Sequence, residues 1–540
     1  MIVPAVKREE ATGQSFYTDT ALSLCVCEEY ADKACTALCA FLPQCSIALM
    51  PAGAFITVQK DSTLAAEACR MDIRESGVVI TCADYLGLRN ALAVFAAAAR
   101  LHNNRLQLPE LHIEDIPTGR YRSVMLDLAS TCRPIEDLYR DLILMAKARM
   151  NRVHLYLFDR SGVALQLDSL PCSCRMPDAY TKQQMRELCA FADALGLTVI
   201  PEFDMPGHSQ KLREVFPEFC CDVPVPEGKV VTSVCTGHPA LYTLYETLIH
   251  ELLEIFPGPY FHMGGDEVEM LDLNVVCCWD DCSRCRRLRE EQSLADRQEQ
   301  YYYFVKRIHE MVKKEGRTLI MWSDQLDCPR GAQLPQDILM HFWRVAHPGR
   351  GPYIGCSMQA QAALGYDIIN SFYPETYTFT GEPAIMSAES LSRWHWDQEP
   401  DCAEEYAPRI LGGELCAWGY SSRELAPYMD RFLPPSIVLM ADKFWNNVPL
   451  EYTTEYRRGL TCTLLGAGTP ENLDIFEAIG NVLPPADGNR CGYPENVSLT
   501  TAELEAVLAA LSQEELYIAG DADRAKELRA CVEYVLQARQ

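Results

Sequence analysis

Apolar runs of strand length recur through the middle of the chain, and segments with helical periodicity separate them. The clearest separators are the amphipathic segments 136–149, 181–195 and 301–316. Strands that are buried on both faces of a parallel sheet are typically continuous apolar runs. The eight runs lie at 123–129, 152–158, 197–204, 260–267, 318–324, 337–343, 366–372 and 411–418. Eight such strands alternating with helices predict an α/β fold of the (β/α)8, or TIM-barrel, type.

The segments on either side of the predicted barrel have different patterns. The first part of the chain contains short apolar strands and an alanine-rich helical segment at 86–102. A stretch with a proline and a glycine at 113–120 is typical of a boundary, and beyond about residue 424 the pattern is helical. We therefore predict an N-terminal α/β domain at 1–117, the barrel at 118–447 and a helical C-terminal extension at 448–540.

Composition narrows the class of partner. The 540 residues include 48 Lys and Arg against 75 Asp and Glu, which gives a net charge of −27. So acidic a chain repels a phosphate backbone, which argues against nucleic acid as a partner. No apolar run reaches the ~18 residues of a membrane span, so we expect no membrane partner either.

Cysteine usage bears on the compartment and on metal binding. The chain has 25 cysteines and no apolar signal-peptide core in its first residues, a pattern typical of reduced thiols in a cytosol rather than a disulfide framework. We therefore predict a cytoplasmic location. Cys277, Cys278, Cys282 and Cys285 lie close together at a spacing that can bind zinc. Because cysteines are spread along the whole chain, we predict these four to be packed thiols and expect no metal.

Polar residues follow the predicted strands at their C-terminal ends. In a barrel these ends and their loops converge on one pocket. The residues are Asp127, Asp159, Asp204, Asp266, Glu267, Asp324 and Trp418. Gly264 and Gly265 precede the adjacent acids and would let a ligand approach the backbone. The sequence therefore predicts an acidic pocket at this face of the barrel.

Four segments match the motifs of one enzyme family in the family's order. "FHMGGDEV" (261–268) matches a His-x-Gly-Gly-Asp-Glu signature, and "PEFDMPGHS" (201–209) matches an Asp-x-Pro-Gly-His segment. "YRSVMLDLA" (121–129) matches the opening barrel strand, and "ADYLGLRNALAVF" (83–95) the end of the usual N-terminal domain. Over about residues 75–445 the chain thus resembles the family 20 glycoside hydrolases, the β-N-acetylhexosaminidases. The resemblance implies a cofactor-free enzyme that removes terminal β-linked GlcNAc or GalNAc.

The resemblance also implies a retaining mechanism in which the substrate's own 2-acetamido group is the nucleophile. In family terms Glu267 protonates the leaving oxygen and later activates water. Asp266 orients the acetamido group and balances the charge of an oxazolinium intermediate. Independently of the family, two neighbouring carboxylates repel each other, which favours one acid and one ionised group. The expected partner is an N-acetylhexosamine-containing oligosaccharide or glycoconjugate, with a homodimer as the candidate assembly.

Substrate-binding roles follow from the resemblance one residue at a time. Arg122 would hold the sugar's 3- and 4-hydroxyls, while Asp159 and His208 would form a pair that tunes the acid. Aromatic walls suit the apolar face of a pyranose and its N-acetyl methyl group. The further contacts are Trp322, Trp343 and Trp418 around the acetamido group, Tyr373 on its oxygen, and Glu375 and Tyr420 near the distal hydroxyls.

The sequence departs from the family's pattern at several positions. After strand 2 the usual Asp-Asp-Gln-Gly-Trp-Arg reads "DRSGVA", which keeps only Asp159 and Gly162. The arginine expected after the first strand is replaced around Ser130. Glu375 stands where aspartate is common, and Tyr420 where glutamate is common. The acetamido machinery is retained, whereas the choice between GlcNAc and GalNAc stays open.

Two other functions are consistent with some of the same residues. A metal-dependent barrel hydrolase would use His208, His262, Asp266 and Glu267 as ligands, although strand 1 has no His-x-His pair. A catalytically inactive sugar-binding protein would account for the altered loop after strand 2. Turnover of an aryl N-acetyl-β-glucosaminide distinguishes this second alternative from an enzyme.

Overall fold

Eight parallel strands close into a barrel at the centre of the protein. The computed structural model describes residues 1–269, 274–344, 356–378, 391, 393–419, 426–470, 472–479, 499–513, 516 and 522–538. Strands 1 to 8 are Tyr121–Asp127, Arg152–Tyr156, Thr198–Glu202, Tyr260–His262, Thr318–Trp322, Leu339–Phe342, Ile368–Asn370 and Ile410–Ala417. Each strand pairs in parallel with the next, and strand 8 also pairs with strand 1. This closed ring confirms the predicted (β/α)8 barrel.

Helices surround the barrel where the periodic segments predict them. Ile135–Lys147, Lys182–Ala194 and Arg297–Lys314 coincide with the three amphipathic segments. The shorter or intervening helices are Gln210–Val215, Pro239–Ile255, Ser283–Gln292, Cys328–Gly331, Met358–Ala363 and Tyr373–Thr376. In the part of the chain that the structure describes, none of the helices combines the length and the apolar character that crossing a bilayer requires.

An eight-stranded sheet and two helices precede the barrel. The strands are Arg8–Asp19, Ala21–Cys25, Ser46–Leu49, Ile56–Lys60, Cys69–Arg74, Gly77–Cys82, Arg100–His102 and Arg105–Asp115, and the helices are Glu28–Phe41 and Tyr85–Ala98. The predicted helix 86–102 ends early because Arg100–His102 pairs with the last strand of this sheet. The predicted boundary at residue 117 falls in the short connection between this sheet and strand 1.

Helices follow the last barrel strand, as the pattern predicts. They are Ala426–Asn446, Thr454–Leu465, Ile475–Ile479, Thr501–Ala510 and Ala522–Ala538. The first of them packs against strands 1 and 8 of the barrel. The boundary predicted at residue 447 falls between the first two helices, and the limits of the three domains stay predictions.

The cysteines include one disulfide. Cys328 and Cys356 are bonded, which differs from the prediction of reduced thiols. The other cysteines in the described ranges are free. A single bridge is not a disulfide framework, so the fold depends on its apolar core.

Candidate active site

Asp266 and Glu267 leave the barrel wall at a sharp turn after strand 4. The regular strand ends before them because Gly264, Gly265 and Glu267 have φ values of +69°, +98° and +49°. A Cβ atom on Gly264 would lie 2.0 Å from Asp204 Oδ1, so only glycine fits there. The left-handed backbone of Glu267 costs about 1–2 kcal/mol, and such strain typically lies at functional sites. The turn therefore presents both carboxylates at the mouth of the barrel.

His208 connects the acid pair to the loop after strand 2. Its Nε2 lies 3.4 Å from Glu267 Oε2 and 3.7 Å from Asp266 Oδ2, while its Nδ1 lies 3.2 Å from Asp159 Oδ1. Burial disfavours a charged imidazole, but the charges of Asp204 and Asp266 outweigh it and raise the pKa of His208 well above its usual value. The structure thus brings three predicted site residues, Asp159, Asp266 and Glu267, around the imidazole of a fourth, His208.

The surroundings of Asp266 disfavour the ionised form of its carboxyl group. Burial, and next the charge of Asp204, raise the pKa of Asp266 well above its usual value, although His208 opposes them. Its Oδ1 is buried without a hydrogen-bond partner among the described residues. Asp204 is itself buried, and burial raises its pKa to about 8. A positive charge or a hydrogen-bond donor on a ligand would therefore be favourably placed beside Asp266.

Asp324 and Arg344 complete the surroundings of Glu267. Asp324 Oδ2 accepts a 3.1 Å hydrogen bond from the Glu267 backbone N–H, and its Oδ1 accepts one of 3.2 Å from Trp343 Nε1. Arg344 lies 3.9 Å from Glu267 Oε1 and covers the Trp343 ring at 4.2 Å. The sequence pattern places Asp324 at the pocket but misses Arg344, because a lone arginine after a strand is not distinctive.

The predicted aromatic residues form one cluster. The Trp343 ring stacks on the Tyr377 ring, with their centroids 6.1 Å apart. The centroid of the Trp418 ring lies 5.9 Å from that of Tyr377 and 5.1 Å from that of Tyr156. Tyr373 and Trp322 belong to the same cluster. Burial, together with charges that include those of the acid pair, raises the pKa of Tyr377 well above its usual value. Tyr156 donates its hydroxyl to Asp204 Oδ2 at 3.1 Å and so connects the aromatic wall to a carboxylate. The sequence pattern singles out neither Tyr156 nor Tyr377.

A polar layer inside the barrel supports this wall. Trp322 is only 1% exposed; its Nε1 donates to Glu202 at 2.9 Å and its ring stacks on His341 at 3.9 Å. His262 contacts His341 at 3.1 Å and accepts the Gly264 N–H at 3.0 Å. His262 is thus occupied below the pocket and does not join His208. In the described structure His262 groups with His154 and Glu202, whereas His208 groups with Asp204 and Asp266. The four residues predicted as ligands of the metal-dependent alternative therefore do not form one group.

Two predicted contacts to the distal hydroxyls have different outcomes. Glu375 is half-buried in the helix Tyr373–Thr376, and burial, then the charge of Glu399, raise its pKa to about 7. One of its carboxylate oxygens is buried without a partner in the described structure. Tyr420 lies outside the described residues, so its role stays a prediction.

Arg122 is the predicted site residue that the structure places elsewhere. It lies at the N-terminal end of strand 1, is fully buried, and donates to the carbonyls of Gly119 and Arg149. Its remaining Nη group forms a 2.5 Å ion pair with Glu67. The pocket forms at the C-terminal ends of the strands, so the prediction that Arg122 binds the sugar hydroxyls is wrong.

We expect Arg122→Met to destabilise the protein without weakening substrate binding. The substitution leaves the Glu67 carboxylate, 13% exposed, with the Asn151 amide but without its ion-pair partner, and the loss of one partner of a buried ion pair typically costs about 3–5 kcal/mol. Denaturant unfolding measures this loss, and the double variant Glu67→Gln/Arg122→Met should recover part of it. A several-fold rise in KM with unchanged stability would contradict the structural role.

Two proteins with sequences similar to this chain are named β-hexosaminidases. A β-hexosaminidase of Akkermansia muciniphila is 34% identical over 233 residues, which cover 39% of this chain and 46% of that protein. One of Porphyromonas gingivalis is 26% identical over 377 residues, covering 64% of this chain and 47% of that protein. The chain spans about half the length of these relatives.

Solved structures share the fold. The β-N-acetylhexosaminidase of Bacteroides fragilis superposes with a TM-score of 0.72 at 21% identity, covering 86% of this chain and 95% of that one. An exo-β-N-acetylglucosaminidase of Vibrio harveyi gives 0.70 at 20% identity, covering 84% and 74%. The catalytic-domain profile of glycosyl hydrolase family 20 matches residues 120–448. The chain therefore belongs to glycosyl hydrolase family 20.

Proposed function

We propose that this protein is a retaining, exo-acting β-N-acetylhexosaminidase that removes terminal β-linked GlcNAc or GalNAc from glycans. The observation that carries the proposal is the contact of His208 with both Asp266 and Glu267 at the mouth of the barrel. Family membership and the named β-hexosaminidase relatives support the same activity.

In the first step Glu267 acts as the acid. Its carboxylic acid donates a proton to the glycosidic oxygen as the bond from C1 to that oxygen breaks. The carbonyl oxygen of the 2-acetamido group forms a new bond to C1 from the opposite face. The resulting oxazolinium ion carries a positive charge that the surrounding acidic groups stabilise.

Asp266 acts on the substrate's 2-acetamido group, which is the nucleophile in place of a protein side chain. Its unpaired Oδ1 can accept the acetamido N–H and hold the carbonyl oxygen toward C1. As charge develops on the acetamido group, the ionised form of Asp266 becomes favourable because an opposite charge lies beside it. Burial and the charge of Asp204 raise the pKa of Asp266, and the positive charge of the intermediate lowers it.

In the second step Glu267, now a carboxylate, removes a proton from water as the water oxygen attacks C1. The bond from C1 to the acetamido oxygen breaks, and the sugar leaves with its original β configuration. Two displacements at C1 account for retention. The charged His208, held by Asp159, is placed to hydrogen-bond the Glu267 carboxylate in this form.

The inactive alternative predicts binding without turnover. Although the loop after strand 2 departs from the family, Asp159 still reaches His208 at 3.2 Å, which favours an active site. Hydrolysis of nitrophenyl N-acetyl-β-glucosaminide and its galactosamine analogue tests the proposal and ranks the two sugars. Saturable binding of GlcNAc without release of nitrophenol would support the inactive protein. A cytoplasmic location and a homodimer remain part of the proposal.

A further inference from the structure

Four cysteines from two separate segments of the chain lie close together. Cys282 and Cys285 belong to the predicted group, but their neighbours in space are Cys221 and Cys235 rather than Cys277 and Cys278. All four sulfur atoms lie within 4.8 Å of one another. Cys235 Sγ is 3.6 Å from Cys282 Sγ and 3.6 Å from Cys285 Sγ. The fold alone brings Cys221 and Cys235, which are distant in sequence, to Cys282 and Cys285.

The spacing of these sulfur atoms fits a metal site better than a disulfide. Disulfide sulfurs are about 2.05 Å apart. Zinc holds thiolates at about 2.3 Å in a tetrahedron, whose edges are then about 3.8 Å, close to the observed separations. Cys235, Cys282 and Cys285 are fully buried, and Cys221 is half-buried. The set is a closed group of four soft ligands.

The backbone around the cysteines is held closely enough to form the site in advance. Cys282 is the N-cap of the helix Ser283–Gln292, and Cys285 lies in its first turn. The Ser283 N–H donates to Asp222 Oδ1 at 2.9 Å, which ties the helix to the residue after Cys221. Gly237 packs so closely that a Cβ atom would lie 2.6 Å from the Cys285 nitrogen.

A cation lies beside the four thiols. Zinc bound by four thiolates leaves a net charge of −2, which a neighbouring positive group can offset. Arg284 lies between the ligands Cys282 and Cys285 in sequence, and its guanidinium donates to the carbonyls of Glu218 and Cys220. These bonds hold the guanidinium beside the loop that carries Cys221. Such outer groups commonly support metal sites.

We propose that Cys221, Cys235, Cys282 and Cys285 bind one zinc ion in a closed structural site. The ion takes no part in the chemical steps of hydrolysis, and the proposal does not depend on the proposed activity. It would join the loop after strand 3 to the segment after strand 4.

The loop between Cys221 and Cys235 also touches the active-site backbone. Thr232 O accepts the Ser209 N–H at 3.0 Å, and Val234 N–H donates to Pro206 O at 3.0 Å. These two bonds flank His208 along the chain. A zinc ion that fixes this loop would therefore help to position His208 from a distance.

Metal content of the full-length protein tests the site directly. After expression in medium containing both zinc and iron, elemental analysis should give about one zinc per chain. Cys221→Ser and Cys282→Ser should lose most of it, whereas Cys278→Ser should retain it. Cys278 is a matched control because it is 6% exposed, lies in the same segment and is not in the group. Wild-type protein with less than about a tenth of an equivalent, or equal zinc in all variants, would overturn the proposal.

Cobalt substitution keeps the test decisive if the serine variants do not fold. Cobalt chloride added to the metal-depleted wild type should produce the intense visible absorption of tetrahedral cobalt with thiolate charge-transfer bands. Zinc chloride should abolish that spectrum at one equivalent per chain. Weak octahedral absorption without thiolate charge-transfer bands would mean that the cysteines are packed thiols only, and tetrahedral cobalt that zinc does not displace would contradict zinc as the metal.

Discussion

Glu267→Gln is expected to nearly abolish cleavage of a natural disaccharide while retaining much of the activity on a nitrophenyl glycoside. Proton donation matters most when the leaving oxygen is that of a sugar alcohol, which is a poor leaving group. General acid catalysis typically contributes about 10²–10⁴-fold, and we expect a loss in this range on N,N′-diacetylchitobiose. A nitrophenolate leaves without a proton, so formation of the intermediate should be slowed far less. Values of kcat/KM for both substrates measure the difference.

A pre-steady-state control separates the two roles of Glu267. The second step needs Glu267 as a base, so the variant should release nitrophenol faster than free sugar, and azide should rescue turnover. Equal losses of kcat/KM on both substrates would show that Glu267 is not the proton donor.

Asp266→Asn should reduce kcat/KM on both substrates by a similar factor, about 10²–10³ for the loss of one electrostatic contact. Asp266 acts on the acetamido group and on positive charge near C1, and both arise whatever the leaving group is. Asparagine keeps the size of the side chain but cannot ionise beside the intermediate. The loss of kcat/KM should therefore be about the same on both substrates for Asp266→Asn and much larger on the disaccharide for Glu267→Gln.

Asp324→Asn is a useful comparison for Asp266→Asn. Asp324 accepts the Glu267 N–H and the Trp343 Nε1–H, so it positions both partners. We expect a smaller loss of kcat, accompanied by a change in KM. A leaving-group dependence of Asp266→Asn as steep as that of Glu267→Gln would contradict the separate roles.

The barrel could be predicted because its strands are buried on both faces. Continuous apolar runs give eight matches, and only their ends are displaced. The run 260–267 extends beyond its strand because Gly264 and Gly265 turn the chain with positive φ values. An apolar pattern contains no information about such a turn. The end of the helix at Ala98 is set by pairing of Arg100–His102 with a later strand, a long-range effect.

Site residues on the strand ends were predictable, whereas those defined by long-range partners were not. Asp159 and His208 are 49 residues apart, yet each follows a strand and so reaches the same mouth. The motif position of Arg122 predicts a contact with the sugar. Its partner Glu67, which precedes the barrel in sequence, instead holds Arg122 at the N-terminal end of strand 1, away from the pocket. Position along a strand decides which end of a barrel a residue faces.

The cysteine group illustrates the same limit. Cys282 and Cys285 have a recognisable spacing, but Cys221 and Cys235 are supplied by a loop that the fold brings back to them. The local spacing groups Cys277 and Cys278 with Cys282 and Cys285 because the four are neighbours in sequence. A set of ligands that comes from two distant segments cannot be predicted from the spacing within one of them.

The most direct test of the central claim compares two aryl glycosides that differ only at C2. We predict that nitrophenyl β-glucoside is hydrolysed more than about 10³-fold more slowly than nitrophenyl N-acetyl-β-glucosaminide, because it lacks the intramolecular nucleophile. The measurement is kcat/KM of the wild-type protein for each substrate at one pH. Hydrolysis of the glucoside as fast as that of the N-acetyl sugar would contradict substrate assistance by Asp266 and the acetamido group.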